Sequence, residues 1–399
     1  IINTKTNYFN KELENTLEMH YYCIEVHKKM KKKMIIIGGG ISGIYLSILL
    51  KKYLDIDVTV LEANDKPLKK LLATGNGRCN LSNKDLDISH YDGEIKPWVS
   101  DIIHNFDIVE ALKGIGLYTK YMGNLLYPYS ESAKAVQTLL LNRAHEYGVE
   151  IICEEEVLSI KKNKKGYLIH ASNKDYQADY VTISCGTPAG KLSGMKDRRT
   201  LFNSLEVDYR PMRPTITQLI TTPVYKKLKG VRMKGLFTLN GHTEKGELLF
   251  TDYGISGICV MVLSRYARPG DRIICDFYPE FTDQELHSII RTLKTMSGPY
   301  DGLVHPKLVP LLENQKNPVS FLKHLEFTVK ELRGEEFAQA DLGGLKISNF
   351  DQSFEFIHYP YLYATGEILD ITGDCGGYNI HFALASAYSV FEEVSKTIQ

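Results

Sequence analysis

"KKKMIIIGGGISGIYLSILL", residues 31–50, governs how the rest of the chain is read. Residues 34–37 form an uninterrupted apolar run of the kind that becomes a buried parallel strand. Gly38-x-Gly40-x-x-Gly43 follows at once, and the chain then stays apolar at helical spacing through Leu50. Each glycine serves a different physical need, namely a tight turn, an approach of bare backbone to a pyrophosphate, and close packing of helix on strand. The start of that helix offers unpaired N–H groups and the positive end of a dipole to the same phosphates. The lysines ahead of it, in "KKMKKK" (28–33), read as a solvated leader and not as a binding patch.

A second strand-like run, residues 58–61, ends in Glu62. That is the place, about 20 residues past the glycines, where an acidic side chain accepts hydrogen bonds from a ribose 2′-hydroxyl. It also repels a 2′-phosphate, so the adenosine of FAD or NAD suits the site better than that of NADP. Next comes "KKLLATGNGRCNLSN" (69–83), in which Gly75, Gly77 and an Asn/Ser-rich tail describe a loop able to bring backbone close to a ligand.

Bulk properties narrow the partners. At 399 residues the chain exceeds the roughly 250–300 at which one core stops growing, so two or three domains are expected. Lys+Arg and Asp+Glu both number 48, which leaves no net field for nucleic acid or an anionic membrane. A small-molecule substrate is therefore the expected partner, with no nucleic acid and no membrane. The oligomeric state is left open. Seven scattered cysteines without a CxxC pair suit free thiols in a cytoplasmic protein, and no metal site is expected.

Five segments in succession carry a family resemblance: "GGGISG", the 69–83 loop, "LLYPYSESAKAV" (125–136), "LLFTDYGISG" (248–257) and "LYATGEILDITGDCGGYNIHFALASA" (362–387). Together they resemble a bacterial FAD-binding flavoprotein family of NAD(P)/FAD-dependent oxidoreductases. Its members include aminoacetone-oxidase-like enzymes and bile-acid 3-dehydro-steroid reductases. The resemblance spans about 34–395 and implies FAD as cofactor, with NAD(P)H as a transient electron donor. Carried onto the matching motifs, it implies FAD contacts from Gly38, Gly40, Ser42, Gly43 and Glu62. From the 69–83 loop it implies Lys70, Gly75, Gly77, Arg78, Cys79 and Asn80, and from the C-terminal block Gly366, Glu367, Asp370, Gly376, Gly377, Tyr378 and Asn379.

The C-terminal block also has a physical logic of its own. Tyr361 to Ala364 read as a strand that delivers Glu367 to its C-terminal end, where open parallel sheets bind ligands. "GDCGGYN" permits close backbone approach, and an amphipathic helix follows. By the resemblance, Glu367 would hold the ribityl chain and Gly376–Asn379 would lie at the isoalloxazine edge.

The expected fold class is α/β: a discontinuous Rossmann-like FAD-binding domain with an inserted β-rich, barrel-like plus helical substrate domain. Residues 1–33 are expected as a leader or tail outside the fold and 34–190 as the first part of the FAD-binding domain. The insert is 191–331, β-rich over 210–280 and helical over 281–331, and 332–399 completes the FAD-binding domain. "NGHTEKGE" (240–247) reads as a hairpin connection and "SCGTPAG" (184–190) as a crossover near the cofactor or a linker. Asp252 and Ile258 stand where the family has histidine and proline, and "SFEFIHYP" (353–360) lacks its basic residue.

Three functions follow. The leading one is an NAD(P)H-dependent reductase of an activated C=C in a small, steroid-like molecule, with hydride passing through flavin N5. The others are an amine oxidase using O₂ and a non-catalytic flavin-binding redox sensor. No catalytic acid or base is assigned; Asp252, Tyr253 and His381 lie in or beside the flavin-facing segments. Cys79 and Cys375 read as structural, with a redox pair as the alternative.

Overall fold

The computed structural model describes residues 31–192, 199–296, 298 and 300–398. Of the expected leader, residues 1–30 lie outside the described residues. Lys32 and Lys33 correct the expected boundary, because they already belong to the first strand, β1 (Lys32–Ile37). The apolar run pulls them in: β1 pairs in parallel with β2 (Ile56–Leu61) from Lys32 onward, and Lys32 Nζ meets Asp179 at 2.9 Å.

Helix α1 (Ile41–Tyr53) joins β1 to β2. The sheet continues through β3 (Glu150–Ile152) on the far side of β2, and through β4 (Tyr180–Ile183) and β5 (Tyr359–Ala364) on the other side of β1. These five strands are parallel, and Glu355–Phe356 adds an antiparallel edge. Strands β1, β4 and β5 are apolar and buried along their lengths or at their C-terminal halves because α1 and α2 (Tyr378–Ile398) lie against the sheet. The order β5-β4-β1-β2-β3 reverses direction between β1 and β4. In a doubly wound sheet that reversal opens the ligand crevice at the carboxyl ends of the strands.

Between β4 and β5 the chain builds a closed antiparallel barrel from Leu219–Thr222, Gly254–Ser256, His242–Phe250, Arg232–Leu239, Arg272–Asp276 and Leu325–Leu332. Alternation makes it: Phe237 and Leu239 are buried while Leu236 and Thr238 are only partly so, and Leu325, Phe327 and Val329 repeat the pattern in the last strand. That last strand corrects the expected helical stretch 281–331. The helices are Asp283–Met296, Val309–Glu313 and Pro318–Lys323, after which a period of two takes over. The hairpin is also tighter than expected. "NGHTEKGE" is mostly strand, and only Asn240 (φ 49°) and Gly241 (φ 82°) turn, the positive-φ pair that suits a two-residue hairpin.

An antiparallel pair, Tyr209–Thr215 with Ala340–Leu345, links barrel and sheet, with a register shift between Arg210 and Arg213. No helix among the described residues is long and apolar enough to cross a membrane.

Candidate functional site

The glycine turn is held by backbone. Gly38 N–H donates to Leu61 O at 2.8 Å, and its φ of 109° leaves room for Ser184 and Cys185, whose backbone a Cβ would meet at 2.5–2.6 Å. Gly43 packs so closely that a Cβ would sit 2.2 Å from Gly38 O. Gly40 is different: it caps α1 with no side-chain hydrogen bond, and the nearest atom to its Cβ position is 3.8 Å away. The first helical bond is Ile44 N–H to Gly40 O, so the N–H groups of Ile41, Ser42 and Gly43 precede it, and no acidic residue lies in that turn. These donors at the dipole's positive end can receive an anion.

Glu62 is buried at the end of β2. Its Oε2 accepts Gly39 N–H at 2.7 Å, and its Oε1 accepts the backbone and side-chain N–H of Asn64 at 2.8 Å each. A carboxylate offers about four lone-pair sites, so capacity remains for hydroxyl donors.

The C-terminal block lands on this turn. Ser42 Oγ donates to Thr365 Oγ1, which also meets Ser184 Oγ, both at 2.7 Å, so α1, β4 and β5 are tied at their ends by one hydroxyl chain. Gly366 (φ 75°) packs on Ser42, and its N–H donates to Ser386 Oγ. Lys70 Nζ lies 2.7 Å from Glu367 Oε2, which joins the 69–83 loop to the block across almost the whole chain. Gly377 (φ 95°) sits on the backbone of Ser82, where a Cβ would come within 2.5 Å. Asn83 Nδ2 reaches Gly376 O at 3.4 Å.

The 69–83 loop proves to be 3₁₀ turns over Lys70–Gly77, with Gly75, Asn76 and Gly77 at positive φ. Asn80 is buried and its Oδ1 has no hydrogen-bond partner. Arg78 lies over the Tyr127 ring at 5.0 Å and meets Glu131 at 3.9 Å. Cys79 is buried at φ 63°, and burial pushes its thiol up to about 12, as it does that of Cys375. Both stay protonated at neutral pH, which deprives a redox pair of its thiolate.

Other side chains of the block are used internally. Asn379 Oδ1 accepts Gly373 N–H at 2.7 Å and its Nδ2 donates to Gly373 O at 2.9 Å. Tyr378 stacks on His90, with ring centroids 4.7 Å apart. Burial works to lower the His90 imidazole, but its hydrogen bonds to Asp374 and Asp85 outweigh that and raise it. Asp370 turns to Arg210 at 2.7 Å, and burial raises its carboxyl.

Of the three polar residues noted beside the site, His381 is a strut. Its Nε2 meets the Ile103 carbonyl at 2.9 Å, which accepts only, so Nε2 carries the proton and Nδ1 accepts from Ser82 Oγ at 2.8 Å. Burial lowers its pKa to about 4, so it is neutral at physiological pH. Asp252 is ion-paired with Lys229 at 2.5 Å on the barrel's surface. Tyr253 donates to Gln218 Oε1 at 2.6 Å under the Arg333 guanidinium.

Two features went unread in the sequence. Asp341 is 3 % exposed, its carboxyl raised by burial, and it accepts Ala189 N–H at 2.7 Å. Buried Arg265 is ion-paired with Asp374. Neither carries a local signal, since each partner lies more than a hundred residues away in sequence.

The family model described as HI0933-like protein Rossmann domain matches residues 32–392. A 3-dehydro-bile acid delta(4,6)-reductase of Clostridium scindens is 32 % identical over 88 % of this chain and 96 % of the relative. A ribosomal RNA dihydrouridine synthase of Haemophilus influenzae is 27 % identical over 91 % of this chain and 98 % of that protein. The protein of the same name from Escherichia coli is 25 % identical over 90 % and 97 %.

Proposed function

This chain belongs to the HI0933-like Rossmann-domain family of FAD-dependent oxidoreductases, and from that premise we propose that it reduces a C=C bond conjugated to a carbonyl in a small, steroid-like molecule, with NAD(P)H as electron donor. The observation that carries the reading is the convergence of the two chain ends. Residues 38–43, Glu62, the 69–83 loop and the 366–379 block meet at the sheet's switch point.

The residues present fit FAD. The uncapped start of α1, with open space over Gly40, suits a pyrophosphate, and the buried Asn80 Oδ1 lacks a hydrogen-bond donor. In this reading the N–H groups of Ile41–Gly43 hold the phosphates and the spare lone pairs of Glu62 accept the ribose hydroxyls. Glu367, aimed by Lys70, takes the ribityl hydroxyls, and the start of α2, with no acidic residue in its first turn, faces the flavin's pyrimidine edge. When bound, the flavin supplies hydride transfer between donor and acceptor. The protein's part is position and electrostatics. Neutral His381, protonated at Nε2, fixes α2 to the loop at Ser82 without adding charge beneath the site.

The relatives' names support conjugated C=C as the reacting group, because a 3-dehydro compound unsaturated at positions 4 and 6 is a conjugated ketone. A second reading, reduction of a uracil ring carried on RNA, is favoured by the two dihydrouridine synthases. In uracil, too, the reducible C=C is conjugated to a carbonyl.

The test is the absorption spectrum and mass of the cofactor in freshly purified protein, followed by anaerobic titration. A flavin band bleached by NAD(P)H and restored by an unsaturated 3-oxo steroid is the expected result. Restoration only by uridine-containing RNA would replace the first reading with the second. Bleaching by an amine alone would make the protein an oxidase, and a colourless protein unable to take up FAD would overturn both readings.

A further inference from the structure

A second cleft, of about 500 Å³, lies where the barrel meets the linking strand pair. Arg210, Arg213, Arg265 and Arg268 line it with His242 and Tyr266. Its two carboxylates are already engaged: Asp92 meets Arg210 at 2.8 Å, and Asp271 accepts Asn240 Nδ2 and Arg268 N–H. Among the described residues, Arg213 and Arg268 have no carboxylate partner. Arg213 donates to the Arg265 carbonyl at 2.9 Å. Burial, together with the like charges of Arg210 and Arg268, lowers its guanidinium against the pull of Asp92.

Two guanidinium nitrogens of the lining residues are buried without a partner. Arg265 is 3 % exposed and ion-paired to Asp374 through Nη1, yet its Nε has no partner; the Nε of Arg210, whose Nη2 meets Asp92 and Asp370, has none either. A buried unsatisfied N–H costs about 1–3 kcal/mol, so such groups call for an explanation. Beside them His242 lies flat on Tyr266, with ring centroids 3.5 Å apart and planes within 7°. Guanidinium forks match phosphate oxygens, and a flat aromatic wall matches a base.

We propose that this cleft binds the phosphate groups of a nucleotide, and that the nucleotide is the nicotinamide dinucleotide donor. The donor's identity rests on the reductase reading; the phosphate site does not. The cleft is a compact pocket and not the long basic stripe a polynucleotide backbone needs. It is also wired to the candidate flavin site, since Arg265 holds Asp374, two residues before Gly376, and Arg210 holds Asp370, three residues after Glu367.

The test uses the full, FAD-loaded chain, calorimetry with inorganic pyrophosphate, adenosine 2′,5′-bisphosphate and 5′-AMP, and anaerobic flavin reduction by NADPH and NADH. Arg268→Ala and the pair Arg213→Ala with Arg268→Ala remove charges that hold no ion pair. About tenfold weaker phosphate binding is expected for each arginine lost, since each 1.4 kcal/mol is tenfold. If NADPH outperforms NADH and the variants erase the difference, the 2′-phosphate is the group bound. If both dinucleotides and pyrophosphate weaken together, it is the diphosphate. Unchanged binding of all three phosphate probes in both variants overturns the site. Should pyrophosphate binding depend on the arginines while neither dinucleotide bleaches the flavin, the phosphate site stands and the assignment of the donor falls with the reductase reading.

Discussion

The chain makes two helix starts out of glycines, and they are held in opposite ways. At α1 the backbone does the holding: Gly38 bonds to Leu61, Gly43 lies against Gly38 O, and the space over Gly40 stays open. At α2 side chains do it. Asn379 clips Gly373, Tyr378 is stacked under His90, His381 is pinned to Ser82 and Ile103, and Gly377 is pressed against Ser82. The first start presents the bare N–H groups of Ile41–Gly43, with Glu62 and the Ser42–Thr365 hydroxyl pair holding the turn from the side. The second borrows its shape from residues 82–103 and from α2 itself, so it depends on packing far away in sequence.

That contrast is open to direct attack. Gly43→Ala should do most damage, because a Cβ 2.2 Å from a carbonyl oxygen forces helix and strand apart. We expect a loss of about 3 kcal/mol or more and colourless protein, read by denaturant melts and the flavin band. Gly77→Ala is its control. That residue has a positive φ (83°), where Gly43 is helical, and its Cβ position meets nothing within 4 Å, so only the backbone strain of about 1 kcal/mol is expected, with FAD retained.

The α2 side is probed by pH. His381 is shifted down in the fold, from 6.5 to about 4, so its contribution is complete above pH 6.5 and is lost as pH falls from there to about 4. Over that window the unfolded chain binds the extra proton, and the loss is about 3 kcal/mol. His381→Gln should flatten the acid side of a melting-temperature profile, and an unchanged slope would refute the strut. Asn379→Ala should cost about 2 kcal/mol, since two backbone groups of Gly373 lose their partners, and should weaken FAD less than Gly43→Ala does. Lys70→Met sits at the bottom of the scale. Its ion pair to Glu367 is partly exposed, so stability should move by about 1 kcal/mol or less, and any larger change should appear in flavin affinity.

Much of the parallel sheet was legible because its signals are local. An apolar run and a glycine turn within residues 34–43 predict strand, turn and helix, and the acid at 62 follows from the next strand. The errors came where two periods compete over a short stretch. Residues 325–332 alternate buried and exposed positions yet directly follow helices, and the hairpin needed only Asn240 and Gly241 to reverse. The site was legible as motifs but not as contacts. Asp370 shares its motif with Glu367, but it faces Arg210, whereas Glu367 faces Lys70.

The class of the fold and the dinucleotide turn are set by residue order alone, since chain stereochemistry and apolar spacing act over a few residues and need no distant partner. Which charges meet is settled only once the chain is folded. Asp341 became buried, His381 became a neutral strut, and four arginines from two segments came to line one cleft. The reason is physical: Coulomb energies and desolvation depend on distance and burial in space, and neither is written in the order of residues along the chain.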